Sequence, residues 1–147
     1  MKASRVRQSF EQQAFLKTLG ARLTRVARGK VAIGIEVGAP VTQQHGFVHA
    51  GVVSALADTA AGYAAMTLLP DDVEVVTAEF KINLLKPALG KTLVAEAHVI
   101  RSGRTLSVSM AEVFAVTGRA RSHVATLLAT IAHVPGSRGP AMRRSSA

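Results

Sequence analysis

Polar and apolar positions change rhythm along this chain, and each change marks a different element. Residues 30–37, KVAIGIEV, set Val31, Ile33, Ile35 and Val37 against small or polar neighbours, a period of two that predicts a strand. Upstream, RQSFEQQAFLKTLGARLTRV carries Phe10, Phe15, Leu16, Leu19 and Leu23 near helical spacing, which predicts an amphipathic N-terminal helix within residues 1–28, ending at Gly20 or running past it. After Pro40 and the loop VTQQHG the alternation disappears. His45–Leu69, HGFVHAGVVSALADTAAGYAAMTLL, is apolar almost throughout and holds one carboxylate, Asp58. A run of this length is a buried helix or a membrane span. The central Asp, the Ser and Thr residues and the excess of Ala and Gly over Leu and Ile favour the enclosed helix.

On that helix two neighbouring stripes differ. Val52, Leu56, Thr59, Tyr63 and Met66 form a bulky one, while Gly51, Ala55, Asp58, Gly62 and Ala65 form a thin one that lets a backbone or slender ligand approach the acid. Beyond the PDD turn the period returns to two. EVVTAEFKINLLKP alternates Val76, Ala78, Phe80, Ile82 and Leu84 against Thr77, Glu79, Lys81 and Asn83, with Pro87 as its stop. A hairpin around Ser102 and Gly103 and another at TG, residues 117–118, complete four consecutive strands. Short turns between consecutive strands imply an antiparallel sheet, and one long apolar helix needs that sheet around it. The expected class is α+β: an N-terminal helix over 1–28, one domain over 29–134, and a disordered basic tail over 135–147, where Gly, Pro, Ser and Arg dominate.

Composition narrows the chemistry. With 147 residues and 48% hydrophobic composition the chain supports one real core. The absence of cysteine excludes disulfides, thiolate metal sites and a cysteine nucleophile, and agrees with a cytoplasmic location. No secretory signal is evident in the basic N-terminus. The net charge of +9 gathers in residues 2–30 and the tail, with no interleaving of aromatic and basic positions, so neither dedicated nucleic-acid binding nor a membrane role is expected. An anionic small molecule remains a fitting partner.

Several motifs fail on inspection. His45 and His49 have the spacing of a zinc-protease helix, but Gly46 stands where its Glu belongs, so no metal is expected. No phosphate-binding glycine loop precedes either GK pair, and Ser54 lacks the glycine elbow of a serine nucleophile. What remains is the join of loop to helix in QQHGFVHAG, with Asp58 two turns inside. Free N–H groups at residues 49–51 could hold an oxyanion, with Gly51 allowing close approach, while Asp58 activates water or attacks a carbonyl. Equally, Gly51 could serve tight packing and Asp58 a hydrogen-bonded core.

GFVHAGVVSALADTAAGYAA followed by VVTAEFKINLLKPALGKTLVAEAHVIRSGRTLSVSMAEVF resembles the hotdog-fold acyl-CoA thioesterases of the phenylacetic-acid-degradation (PaaI-like) type, over about residues 28–133. That family carries an Asn, then His-Gly-Gly, then an acid in Leu-x-Asp. The resemblance implies an antiparallel sheet wrapped around one central helix, no cofactor, and sites built across a dimer interface in homodimers or homotetramers. It places Asp58 on the catalytic acid, as general base or nucleophile, and Ala50 on the first glycine, whose N–H polarises the thioester carbonyl. Gln43 falls on the assisting Asn, and Thr77 on the residue that helps place water. Alternation sets Thr77 on the polar face of its strand, so it would act at a strand mouth or from the other subunit. His49 and Gly51 are expected beside the substrate, with Arg104 and Lys86 as partners for the phosphates of coenzyme A.

The resemblance therefore implies hydrolysis of a medium-chain or aromatic acyl-CoA. Two other readings share the fold: a non-hydrolytic acyl-CoA-binding module, and an enoyl-CoA hydratase or dehydratase using His49 with Asp58.

Overall fold

The computed structural model describes residues 2–136; the tail expected over 135–147 lies outside these from residue 137 on. Six antiparallel strands form one sheet, β1 (Arg22–Ala27), β2 (Lys30–Glu36), β3 (Val73–Leu84), β4 (Thr92–Ser102), β5 (Leu106–Thr117) and β6 (Ala120–Pro135), in the order β1-β2-β4-β5-β6-β3. The helix α3 (Ala50–Met66) lies against one face of it. The hairpins fall where the turn residues predicted them. Thr117 pairs with Ala120 across Gly118, whose φ of +58° is strained for any residue with a side chain. No helix among the described residues is long and apolar enough to cross a membrane.

The helix buries Leu56, Tyr63 and Met66 of the bulky stripe together with a run of alanines beside them. Val53, Leu56, Ala57, Ala60, Ala61 and Ala64 point into the core, at spacings of three and four, and meet Ile33, Leu93, Val113, Leu127 and Ile131 of the sheet. Alanine's small size explains the choice: it lets the helix axis sit close to the sheet, while Val52 and Thr59 are left half-buried. The thin stripe is accordingly open at Gly51 and half-open at Ala55, Asp58 and Gly62.

The N-terminal helix is corrected in two respects. It is divided into α1 (Lys2–Glu11) and α2 (Ala14–Thr18), and residues 22–27 are strand, so the sheet begins before residue 29. Gly20 explains the stop. At φ +67° it closes α2, with its N–H on the Lys17 carbonyl and the Ala21 N–H on the Leu16 carbonyl, the two bonds of a Schellman cap. Freed from helix, Arg22–Ala27 pairs with β2, and Leu23 and Val26 still pack on the core.

A bulge in β3 brings the other correction. Thr77 pairs with Ile131 and Glu79 with Thr130, leaving Ala78 as the extra residue. The insertion inverts the alternation. Before it, Val75 and Thr77 face α3 and Val76 faces away; after it, Phe80, Ile82 and Leu84 share the face of buried Ala129, Leu127 and Ala125. Thr77 is thus on the helix side of its strand, not on the polar face that strict alternation assigned.

Candidate active site

The loop before α3 is braced from both sides. The Gln43 N–H donates to the Phe47 carbonyl at 2.8 Å, Gly46 turns at φ +84°, and the His49 N–H donates to the Val41 carbonyl at 2.9 Å. His49 is the N-cap of α3, and its Nδ1 accepts the Gly51 N–H at 2.8 Å. A Cβ on Gly51 would lie 2.9 Å from that nitrogen, so the glycine serves the cap. Of the three donors expected at residues 49–51, two are thereby committed within the chain. The Ala50 N–H has no partner among the described residues. It is the free donor at the helix mouth, where the dipole is positive.

Ala50 opens into a cleft of about 590 Å³, shared with Gln43, His49, Val53 and, from the end of β3 and the loop after it, Leu84 and Lys86. The Gln43 side chain accepts the His45 N–H through Oε1, which leaves its NH₂ group as a donor on a residue that lines the cleft. Arg104 is not brought here. It sits in the β4–β5 turn, where its carbonyl meets His133 Nδ1 at 3.3 Å, and it lines neither this cleft nor the pocket of Asp58.

Asp58 faces a second, smaller pocket of about 150 Å³, with Gln13, Thr59, Gly62, Tyr63, Val75 and Thr77. The Thr77 hydroxyl donates to Asp58 Oδ1 at 2.7 Å, a contact made possible by the bulge. Burial holds the Asp58 carboxyl above its ordinary value of 3.8, and the Thr77 hydrogen bond pulls it partly back. The acid is therefore neither an unpaired core charge nor a solvated one: it is a half-buried carboxyl held by a single hydroxyl. Among the described residues no cluster of His, Asp or Glu is arranged to hold a metal ion.

One chain does not unite the two halves. Ala50 and Asp58 stand about 12 Å apart along the helix axis, at 1.5 Å per residue, so one carbonyl cannot touch both. They also open beside opposite ends of β3, Asp58 by Val75 and Thr77, Ala50 by Leu84.

Residues 45–121 match the model of the Thioesterase superfamily, just over half of the chain and the stretch that holds Asp58, Thr77 and the helix mouth. The chain belongs to that superfamily. It is a hotdog-fold thioester hydrolase. A thioesterase family protein from Silicibacter pomeroyi is 40% identical and superposes with a TM-score of 0.90 over 92% of this chain and 100% of its own. The 1,4-dihydroxy-2-naphthoyl-CoA hydrolase of Listeria monocytogenes is 32% identical over 93 residues, covering 63% of this chain and 75% of the relative. The PaaI protein of the E. coli phenylacetic acid degradation operon, 24% identical, shares the fold with a TM-score of 0.82 over 92% of this chain and 94% of its own.

Two residues of this candidate site lie outside the sequence pattern that pointed to it. Gln13 comes from before residue 45, and Tyr63, the only tyrosine of the chain, sits on the bulky stripe and carried no charge to draw attention. The Thr77 bond makes a direct prediction. In Thr77→Val the Asp58 carboxylate loses its donor, so the acid limb of the pH–rate profile moves to higher pH and activity near neutrality falls. An unmoved limb, followed by thiol release, would separate Asp58 from catalysis.

Proposed function

We propose that the protein hydrolyses a medium-chain or aromatic acyl-CoA at a site shared between two copies of the chain. The observation that carries this reading is the placement of an ionisable acid and a free helix-mouth N–H beside opposite ends of one edge strand. β3 ends the sheet, and Val76, Phe80 and Leu84 on it are 55%, 41% and 53% exposed, an apolar edge that invites a partner. Antiparallel pairing of two such edges about a two-fold axis near Phe80 and Lys81 brings the Thr77 end of one copy beside the Leu84 end of the other. Each site then takes Asp58 and Thr77 from one chain, and Ala50 and Gln43 from its mate.

At such a site the Ala50 N–H and the Gln43 amide polarise the thioester carbonyl, and water attacks its carbon as Asp58 accepts the water's proton. Collapse of the tetrahedral oxyanion breaks the C–S bond, and the departing thiolate takes the proton back to leave free acid and coenzyme A. Attack by Asp58 itself, through an anhydride that water then opens, uses the same groups. Lys86, on the cleft wall, suits the phosphates of the coenzyme. His49 is less suited to a hydratase role, since its Nδ1 lone pair is engaged by the Gly51 N–H.

Thiol release measured across short, medium, long and aromatic acyl-CoAs tests the reading. Saturable turnover of at least one class is expected. Tight acyl-CoA binding with no thiol released from any of them would instead favour the binding module.

A further inference from the structure

The pocket of Asp58 has an end wall that the chemistry above does not use. α1 and α2 meet at Gln12 and Gln13, and this break is pinned to α3 through a single atom, the hydroxyl of Tyr63. Gln13 Nε2 donates to it at 2.6 Å, and Ser9 Oγ lies 3.1 Å from it. Tyr63 is buried, its ring packed beside Phe10 with centroids 6.1 Å apart. Gln13 holds the N-cap position of α2 yet makes no capping bond, its side chain being turned to α3 instead. A side chain that forgoes its local backbone for a contact across the fold fixes where the N-terminal segment lies, here over the pocket.

On α3, Gly62 is one turn beyond Asp58 on the side away from the helix mouth. A Cβ there would meet nothing within 4 Å, so the missing side chain is open pocket space. In the shared site proposed above, a carbonyl held between Asp58 and the mate's Ala50 N–H would turn its acyl group into the pocket that Gly62, Tyr63 and Gln13 line beside Asp58. The pocket, with a volume of about 150 Å³, is on the scale of a single benzene ring.

We propose that Gln13 and Tyr63 are specificity-determining residues: latched together, they close the acyl end of the pocket and limit the substrate to a single-ring aromatic or one of the shorter medium-chain acyl groups. This rests on the reading of Asp58 as the hydrolytic base. It adds a size filter in which Gln13, from outside the stretch matched by the family model, closes on Tyr63 within it.

The test compares kcat and KM for acetyl-, hexanoyl-, benzoyl-, dodecanoyl- and naphthoyl-CoA in the full chain and three variants. In Gln13→Ala the ratio of kcat/KM for the two large acyl groups to that for benzoyl-CoA is expected to rise about tenfold or more, mainly through KM. Tyr63→Phe keeps the ring and removes the latch; it moves the ratio the same way and carries the test if Gln13→Ala folds poorly. Gly62→Ala moves it down while raising the melting temperature, because alanine is the better helix former. That pairing of a firmer helix with a narrower pocket is not the signature of a merely structural role.

An unchanged ratio in folded Gln13→Ala and Tyr63→Phe overturns the wall and leaves the hydrolytic reading standing. If the wild type releases no thiol from any acyl-CoA, the hydrolytic reading falls, and the same series is read as dissociation constants. A size step that vanishes in Gln13→Ala then sustains the wall, and the absence of a step overturns it.

Discussion

Asp58→Asn lowers kcat for thiol release by about 10²- to 10⁴-fold with little change in KM, the range set by loss of a positioned general base. Asparagine keeps the shape of the side chain and an oxygen to accept the Thr77 hydroxyl, so the pocket survives and the base does not. In the wild type kcat/KM rises with pH as Asp58 ionises, along a limb centred above the ordinary 3.8 because burial disfavours the charge. The stability consequence has the opposite sign. A carboxyl raised in the folded state favours the protonated fold, so its stabilisation is present below 3.8 and is lost as pH rises through the raised value. Asp58→Asn has no such charge to bury. It melts above the wild type at neutral pH, and the difference closes below 3.8. Loss of activity with gain of stability marks a site residue; an equal loss of both would make Asp58 a structural acid.

Ala50→Pro removes the one free N–H at the helix mouth, and its effect on kcat is expected to be about 10²- to 10³-fold, as for loss of an oxyanion donor. Proline is tolerated at the first position of a helix, and His49, at φ −60° and ψ 137°, already has the extended backbone that a following proline requires. The helix therefore remains. Mixing this variant with Asp58→Asn, after dissociation and reassociation, separates a shared site from a single-chain one. A mixed dimer holds one intact site, with Asp58 from one chain and the Ala50 N–H from the other, so random reassortment restores about a quarter of wild-type activity. Two variants that stay silent when mixed would confine the whole site to one chain and remove the argument from the β3 edge.

Much of the site's composition was legible before any geometry. Asp58 stood out because ionised carboxylates are costly in apolar surroundings, and the loop-to-helix join pointed to residues 49–51 because helix N-termini leave N–H groups unpaired, Ala50 among them being singled out only by the family resemblance. The fold was legible for a similar reason. Periods of two and a long apolar helix leave an antiparallel sheet few other arrangements. The failures have local causes. One inserted residue, Ala78, reversed the face of Thr77, and a bulge has no signature in alternation. Gly20 and the Schellman cap turned the end of an expected helix into β1. His49 took the Gly51 N–H that the backbone pattern had left free.

Order along the chain thus singled out the groups to which the proposed chemistry is assigned: an acid among alanines, N–H groups at a helix mouth, and a sheet to enclose them. Period and burial cost are local quantities that a chain displays in order. Folding alone sets how these groups are distributed, with Thr77 on Asp58, Gln13 on Tyr63, and Asp58 and Ala50 beside opposite ends of an exposed strand. Those relations join residues far apart in the chain, and no periodicity records them.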